Sequence, residues 1–443
     1  MTSKKIAIIG AGPAGITLAL ELKDIGFQDV TVFGDFGEAQ CRTLEVDGVV
    51  ADVGTCYVHS GYWNTVKPLV KRYGFHLNYL PDATLANDDL HKPAISPAQK
   101  IRTLLNLFRF LVLSFRYLTV YRTERSRDYG LTMQEYLDAR GLGAFSRSFI
   151  FGPGGIAQGY GFFGDITAYG GLRWFRPSIF FTPVANKMRR GTATIRQGYG
   201  KLFQRVLADL SHRPEKISAV NPVAHPVSGA PQVEIVSMSG ERCVFDHAVV
   251  ACRLDGIASP VSALFTPGTI CTTRFFSLLW TSTSPPWFAD RVYLTDAIHR
   301  EDRNKILTYR FYGVTQLGEY LYWGAGYAGD DVSDADLKER LCAQVERDLR
   351  CDIRSVRFFD CFQYNVRFSA PAIREGLHLK VNELQGAQNI WYSGGLLSHW
   401  DVDSIMEHNR LLAARMAYRG AGGTVGNKAA FYWRTFRARL AEI

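Results

Sequence analysis

A short apolar run, Ile6-Ala7-Ile8-Ile9, leads straight into Gly10-Ala11-Gly12-Pro13-Ala14-Gly15, the spacing G-x-G-x-x-G. Ala14 to Ile25 has helical character and stops at Gly26, a residue suited to the left-handed position that follows a helix. Val30 to Phe33 is a second apolar run. Strand, glycine turn, helix and strand in this order give the glycine spacing a mechanism. Gly10 permits the tight turn, Gly12 lets the backbone approach a pyrophosphate, and Gly15 lets the helix pack close on the strand. The amino end of the helix offers N–H groups and a positive dipole end to the phosphates. The stretch therefore predicts a dinucleotide site on a Rossmann-type α/β fold. An acid at the end of the second strand usually holds the adenosine ribose. Gly34 stands there, so the next residue, Asp35, is the candidate; its alternative role is that of a solvated turn residue.

The rest of the chain limits what such a site serves. With 443 residues, 47% of them hydrophobic, two or three domains with ample core are expected. The net charge of +9 favours anionic substrates or membrane surfaces, and no basic run stands out that would indicate nucleic acid. Eight scattered cysteines form no C-x-x-C pair and no cluster of zinc spacing, which predicts reduced thiols, a cytosolic protein and no metal. The first strand begins almost at Met1, which reads as no signal peptide, and no uncharged apolar run reaches the ~18 residues a membrane span requires.

Further along, Val49 to Tyr57 reads as a strand entering a loop, and the lone His59 beyond it as a structural histidine. Pro81 to Pro97 reads as a linker. Ser96-Pro97-Ala98-Gln99 opens a helix that runs to about Tyr121, with Arg102, Arg109 and Arg116 in one stripe beside a broad apolar face. Such a face is buried or lies against a greasy surface, and core burial is the expectation. Thr132 and Ser333 are cap residues of two further helices. Gly159 to Gly164 repeats the glycine spacing, but no strand leads in and aromatics fill the positions where phosphate needs room; one dinucleotide is expected. Aromatic strands alternate with turns from Thr272 to Tyr327, and a helix begins near Asp403 after the turn Ser393-Gly394-Gly395.

The opening turn, the Gly198–Leu210 segment, the hairpin ending at Ala251 and the late Asn389-Ile390-Trp391-Tyr392-Ser393-Gly394-Gly395 run occur in the order found in the flavin-dependent amine oxidoreductase superfamily. That superfamily includes amine oxidases, protoporphyrinogen oxidases and phytoene desaturases. Within it the chain resembles most the bacterial polyunsaturated fatty acid double-bond isomerases, through Gln158-Gly159-Tyr160-Gly161-Phe162, Ile166-Thr167-Ala168-Tyr169 and Gly386 to Met406. The resemblance implies FAD. It places Gly10, Gly12, Ala14 and Gly15 at the pyrophosphate, Gln40 and Arg42 in a loop near the flavin, and Gly54 and Thr55 beside the isoalloxazine. It puts Val223 on the adenine strand and Val402 and Asp403 at the flavin's pyrimidine edge, with Gly394 and Gly395 also among the cofactor-binding residues. The sequence departs from the family at Gly34, at the Gly-Gly pair replaced within Glu38 to Cys41, and at Gly395, where the family has an acid.

No Ser/His/Asp or Cys/His arrangement can be picked out, and the catalytic residues stay unassigned. The 28 Phe, 21 Tyr and 8 Trp suit an apolar pocket in which a cofactor carries the reaction. Pocket candidates are Tyr57, Phe162, Tyr169, Trp174, Tyr364, Phe368 and Trp400, each of which could instead be ordinary core. The expected architecture is a discontinuous Rossmann-type FAD-binding domain (residues 1–80, 194–260 and 385–420) with a mixed α+β substrate domain (81–193 and 261–384). A basic aromatic tail (421–443) offers peripheral membrane contact. The expected function is hydride chemistry at flavin N5 on an apolar, unsaturated small molecule, with double-bond isomerisation first. The alternatives are a dehydrogenase or desaturase, an amine oxidase, and a degenerate flavin fold that only binds a lipid or a partner protein.

Overall fold

A computed structural model describes residues 4–38, 41–59, 65–80, 127–143, 161–174, 191–286, 292–295 and 300–420, with positions 98, 101–102, 105–106, 108–110 and 112. The Pro81–Pro97 linker, the Ser96 cap, Gln40 and the 421–443 tail lie outside the described residues.

Ile6–Ile9 is wholly buried and forms the middle of a five-stranded sheet. Its order is Ile390–Tyr392, His247–Val250, Ile6–Ile9, Val30–Phe33, Ser211–Arg213, and every pairing is parallel. Taken in chain order these strands lie 5-4-1-2-3, so the direction of winding reverses between Ile6–Ile9 and His247–Val250. Ligands of such sheets sit at that reversal, beyond the carboxyl ends of the strands. Helix Pro13–Asp24 packs on one face through Ile16, Leu18, Ala19 and Leu22. Helix Val402–Gly420 lies against it, and helix Tyr199–Ala208 buries Leu202, Phe203 and Val206 in the same core.

Two antiparallel sheets complete the frame. Ile217–Ala224, Pro231–Ser237 and Arg242–Phe245 form a three-stranded meander. Ile270–Ser282, buried from Phe275 onward, sits between Tyr320–Tyr327 and Ser355–Phe368 in a five-stranded sheet. Helix Asp334–Leu349 covers one face of this sheet through Leu337, Leu341 and Val345. The Ser333 side chain caps that helix, and Thr132 forms a full capping box with Glu135 on helix Met133–Asp138, as the sequence indicated.

One expectation is corrected. In the segment from Ala98 to Val112, Phe110 is buried, but Ile101, Leu105, Phe108 and Val112 are exposed. An apolar stripe specifies a helix with a greasy side and does not specify what that side meets. No described helix is long and apolar enough to cross a membrane.

Candidate functional site

Beyond the carboxyl ends of the parallel strands lies a cleft of about 640 Å³, within the range of roughly 300–1,000 Å³ usual for small-molecule sites. Its floor is the glycine turn. Gly10 takes a φ of +121°, and a Cβ there would lie 2.9 Å from the Ala251 carbonyl oxygen. At Gly15 a Cβ would lie 1.8 Å from the Gly10 carbonyl oxygen, so helix and strand meet with no room for a side chain. At Gly12 a Cβ would meet nothing within 4 Å. The two outer glycines thus serve packing inside the protein, and the middle one keeps open the space beside the helix. No side chain caps that helix at Gly12, and its first turn holds no acid. An open, uncapped helix start of this kind suits an anion such as phosphate.

A second helix start opens on the same cleft. Gly394, at a φ of +111°, and Gly395 turn the chain after strand Ile390–Tyr392, and both line the cleft with Val402, the first residue of the last helix. Asn409, wholly buried, fixes the two helices together. Its amide donates to the Ala14 carbonyl at 2.7 Å and to Thr17 Oγ1 at 2.8 Å, and its oxygen accepts from Ser393 Oγ at 2.5 Å. Both positive helix ends are therefore aimed into one volume, which favours a ligand carrying negative charge at two places.

The cleft wall opposite comes from strand Ser355–Phe368. Phe362, Tyr364 and Asn365 line it, with Cys41, Thr55 and Trp400. Tyr364 stacks into a group with Phe275 at 5.4 Å and Phe362 at 6.2 Å between ring centroids. Burial drives its phenol far above the ordinary range, partly offset by the Thr55 hydroxyl. Trp400 packs on the His399 imidazole at 4.0 Å, and His399 Nδ1 lies 2.5 Å from Asp401 Oδ2. Asp401 in turn accepts the Ser404 N–H at 2.8 Å, which fixes the start of the last helix.

Behind the cleft a buried polar group joins the sheets. Asp52 accepts the Thr43 hydroxyl and the Tyr199 N–H at 2.9 Å. Burial raises its pKa to about 6. Arg310, buried on the antiparallel sheet, lies over the Tyr312 ring at 4.2 Å and the Tyr57 ring at 5.5 Å, and Tyr312 donates to the Asp52 carbonyl. His59 is buried as well, and desolvation lowers its pKa to about 4.

Of the sequence candidates, Gly10, Gly12, Ala14, Asp35, Thr55, Gly394, Gly395, Val402, Tyr364 and Trp400 come together on this one cleft. Asp35 accepts the Gly37 N–H at 2.8 Å and lies at the mouth. Gly15 and Gly54 stand directly behind lining residues. Others point elsewhere. Arg42 lies 3.9 Å from Asp360 and over the Phe358 ring, Asp403 accepts the Thr65 hydroxyl, and Val223 sits at the far end of its strand opposite Gln232. That strand meets the cleft through Ile217, preceded by Lys216. Tyr57 packs beneath Arg310. Phe162 is buried edge-on to Tyr327, and Tyr169 and Phe368 border a separate small cavity with Arg367 and Trp400. Trp174 ends helix Ala168–Trp174, and its side chain lies outside the described residues. Sequence reasoning missed Ile217, Lys216 and Arg310. Strand alternation marks the first element but not which end faces the cleft, and a lone arginine in an aromatic strand carries no signal.

A parallel sheet with a glycine turn at its winding reversal, a three-stranded meander and an antiparallel sheet closing the cleft make up a fold shared with solved structures of a fatty acid isomerase and of amine oxidases. Among solved structures the chain is similar to the conjugated-linoleic-acid-producing fatty acid isomerase from P. acnes, with TM-score 0.69, 17% identity and coverage of 93% of this chain and 98% of that one. It is also similar to putrescine oxidase bound to putrescine (TM-score 0.66, 11% identity, 93% and 98% covered) and to cyclohexylamine oxidase from Brevibacterium oxydans (TM-score 0.59, 12% identity, 94% and 100% covered). No protein-family model and no curated protein matches the sequence.

Proposed function

We propose that the chain is an FAD-dependent enzyme that moves a double bond in an apolar, unsaturated small molecule without net oxidation. The observation that carries the reading is the shape of the cleft. Open space at Gly12 and a second helix end at Val402 bracket a site for an extended dinucleotide, and an aromatic wall of Phe362, Tyr364 and Trp400 faces it. FAD bound there supplies a hydride acceptor and donor at N5.

The chain's own residues supply the surroundings. Gly12 and the start of helix Pro13–Asp24 hold the pyrophosphate, and Asp35 at the cleft mouth receives the ribose. The amino end of helix Val402–Gly420 stabilises negative charge on the ring system. Phe275, Phe362, Tyr364 and Trp400 keep water from a reacting carbon that carries positive charge. No acid–base pair faces the aromatic wall among the described lining residues, and isomerisation of this kind asks for none. The Gly-x-Gly turn of the cleft accommodates one dinucleotide, so the reaction proceeds without a nicotinamide partner.

The fatty acid isomerase likeness supports the isomerase reading; the likeness to putrescine and cyclohexylamine oxidases supports a second, oxidation of an amine. A substrate deuterated at the allylic position, turned over under nitrogen with no added acceptor, separates them. The isomerase completes many turnovers and keeps the label at the new carbon. Turnover that stops after one equivalent of reduced flavin, or that consumes oxygen and yields peroxide, refutes it.

A further inference from the structure

Every described residue between Ala98 and Val112 is helical, and the faces of this helix differ. Phe110 is 1% exposed and anchors one side. Ile101, Leu105, Phe108 and Val112 follow one another at spacings of four, three and four residues, which puts them on one face, opposite Phe110. They are 60%, 58%, 66% and 45% exposed. Four of the ten exposed large hydrophobic side chains among the described residues thus fall on this single stripe, whereas scattered ones would need no explanation. Arg102 and Arg109, both exposed, run along one edge of the stripe, and Arg109 donates to the Arg140 carbonyl at 3.0 Å.

We propose that this face is a membrane-docking surface whose partner is an anionic lipid bilayer. An apolar row edged by guanidinium groups matches a partner that is apolar below and negatively charged at its surface. The run from Ala98 to Val112 contains no Asp or Glu, so a second copy of the face would set arginine against arginine, and an anionic surface would not. The net charge of +9 adds attraction at longer range. The helix lies in the surface plane and does not cross the bilayer. Docking rests on this face alone and does not depend on the chemistry proposed above.

Cosedimentation of the full chain with phosphatidylcholine vesicles, with and without phosphatidylserine, tests the proposal. Binding is expected with phosphatidylserine and weakens as salt is added. The pair Leu105→Glu and Phe108→Glu lowers it about tenfold or more with an unchanged circular dichroism spectrum. Arg102→Glu, which leaves the apolar row intact, reduces the preference for phosphatidylserine. Should the double variant misfold, Phe108→Ser alone gives the readout. Three results overturn the proposal: no binding to either vesicle, binding insensitive to these substitutions, or a dimer in solution that the same substitutions dissolve.

Discussion

Replacing Asn409 with alanine tests whether the two helix ends at the cleft are held as one unit. The side chain is fully buried and makes three hydrogen bonds, to Ala14, Thr17 and Ser393. Thr17 keeps its bond to the Pro13 carbonyl when the amide is lost, but Ser393 Oγ is left in a dry interior. Three bonds at about 1 kcal/mol each, with about 1 kcal/mol more for the stranded hydroxyl, give a loss of about 4 kcal/mol. At roughly 2.1 cal/mol/K per residue over 443 residues, that loss lowers the melting temperature by about 4 °C. Cofactor affinity falls with it, because Ala14 and Val402 no longer keep a fixed separation. The assay is thermal unfolding with and without FAD, beside an FAD titration followed by flavin fluorescence. Arg410→Ala is the control: it removes the part-buried bonds to Glu21 at 2.9 Å, between the same two helices, and to Glu407 at 3.3 Å, and leaves the Asn409 bonds in place, so FAD affinity should be unchanged. A melting shift below about 1 °C in Asn409→Ala, with FAD affinity unchanged, refutes the reasoning.

Gly12→Leu should fold normally and fail to take up FAD, read as missing flavin absorbance, since its side chain enters open cleft; Gly15→Ala should fail to fold, because its Cβ would stand 1.8 Å from the Gly10 carbonyl oxygen. Asp35→Asn should weaken FAD binding several-fold with no change in melting temperature, whereas Gly34→Asp should lower the melting temperature, because position 34 holds a φ of +121°. The pH dependence of stability has two opposed parts. His59, with its pKa lowered from 6.5 to about 4, is neutral in the fold; its contribution is complete above pH 6.5 and is lost as pH falls towards 4. Asp52, raised from 3.8 to about 6, binds its proton more tightly in the fold, so its contribution falls as pH rises from 4 to 6. Each is of order 3 kcal/mol, and urea unfolding of the wild type should vary little between these limits. His59→Gln should then be more stable at the acid end than at neutrality, and Asp52→Asn the reverse; parallel pH profiles for the two variants would contradict both assignments.

The glycine turn was legible because its demands are local. The spacing of Gly10, Gly12 and Gly15 marks backbone positions with special demands: Gly10 and Gly15 have no room for a side chain, and the space beside Gly12 stands open. The caps at Thr132 and Ser333 were legible for the same reason, since cap and helix are neighbours in sequence. Trp400 and Tyr364 line the cleft and Phe162 lies in the core, and aromatic content alone could not separate those places. Val223 illustrates a different limit. The strand was recognised, yet the end that meets the cleft is Ile217, and that depends on where the whole meander is placed. Arg310 was invisible because its companions Asp52, Tyr57 and Tyr312 converge from separate elements.

The order of the parallel strands has a consequence for how the chain acquires this shape. The central strand, Ile6–Ile9, leaves the ribosome first, and the edge strand Ile390–Tyr392 and the helix bearing Asn409 leave roughly 380 residues later. At about 5–20 residues per second the apolar run Ile6-Ala7-Ile8-Ile9 pairs early with Val30–Phe33 but waits on the order of 12–50 s for His247–Val250, and the first helix waits on the order of 20–80 s for the helix bearing Asn409. Pairings this remote in sequence also form slowly once the chain is complete. The cleft is thus assembled last. Until then the hydrophobic centre of the sheet is a surface that a chaperone can hold.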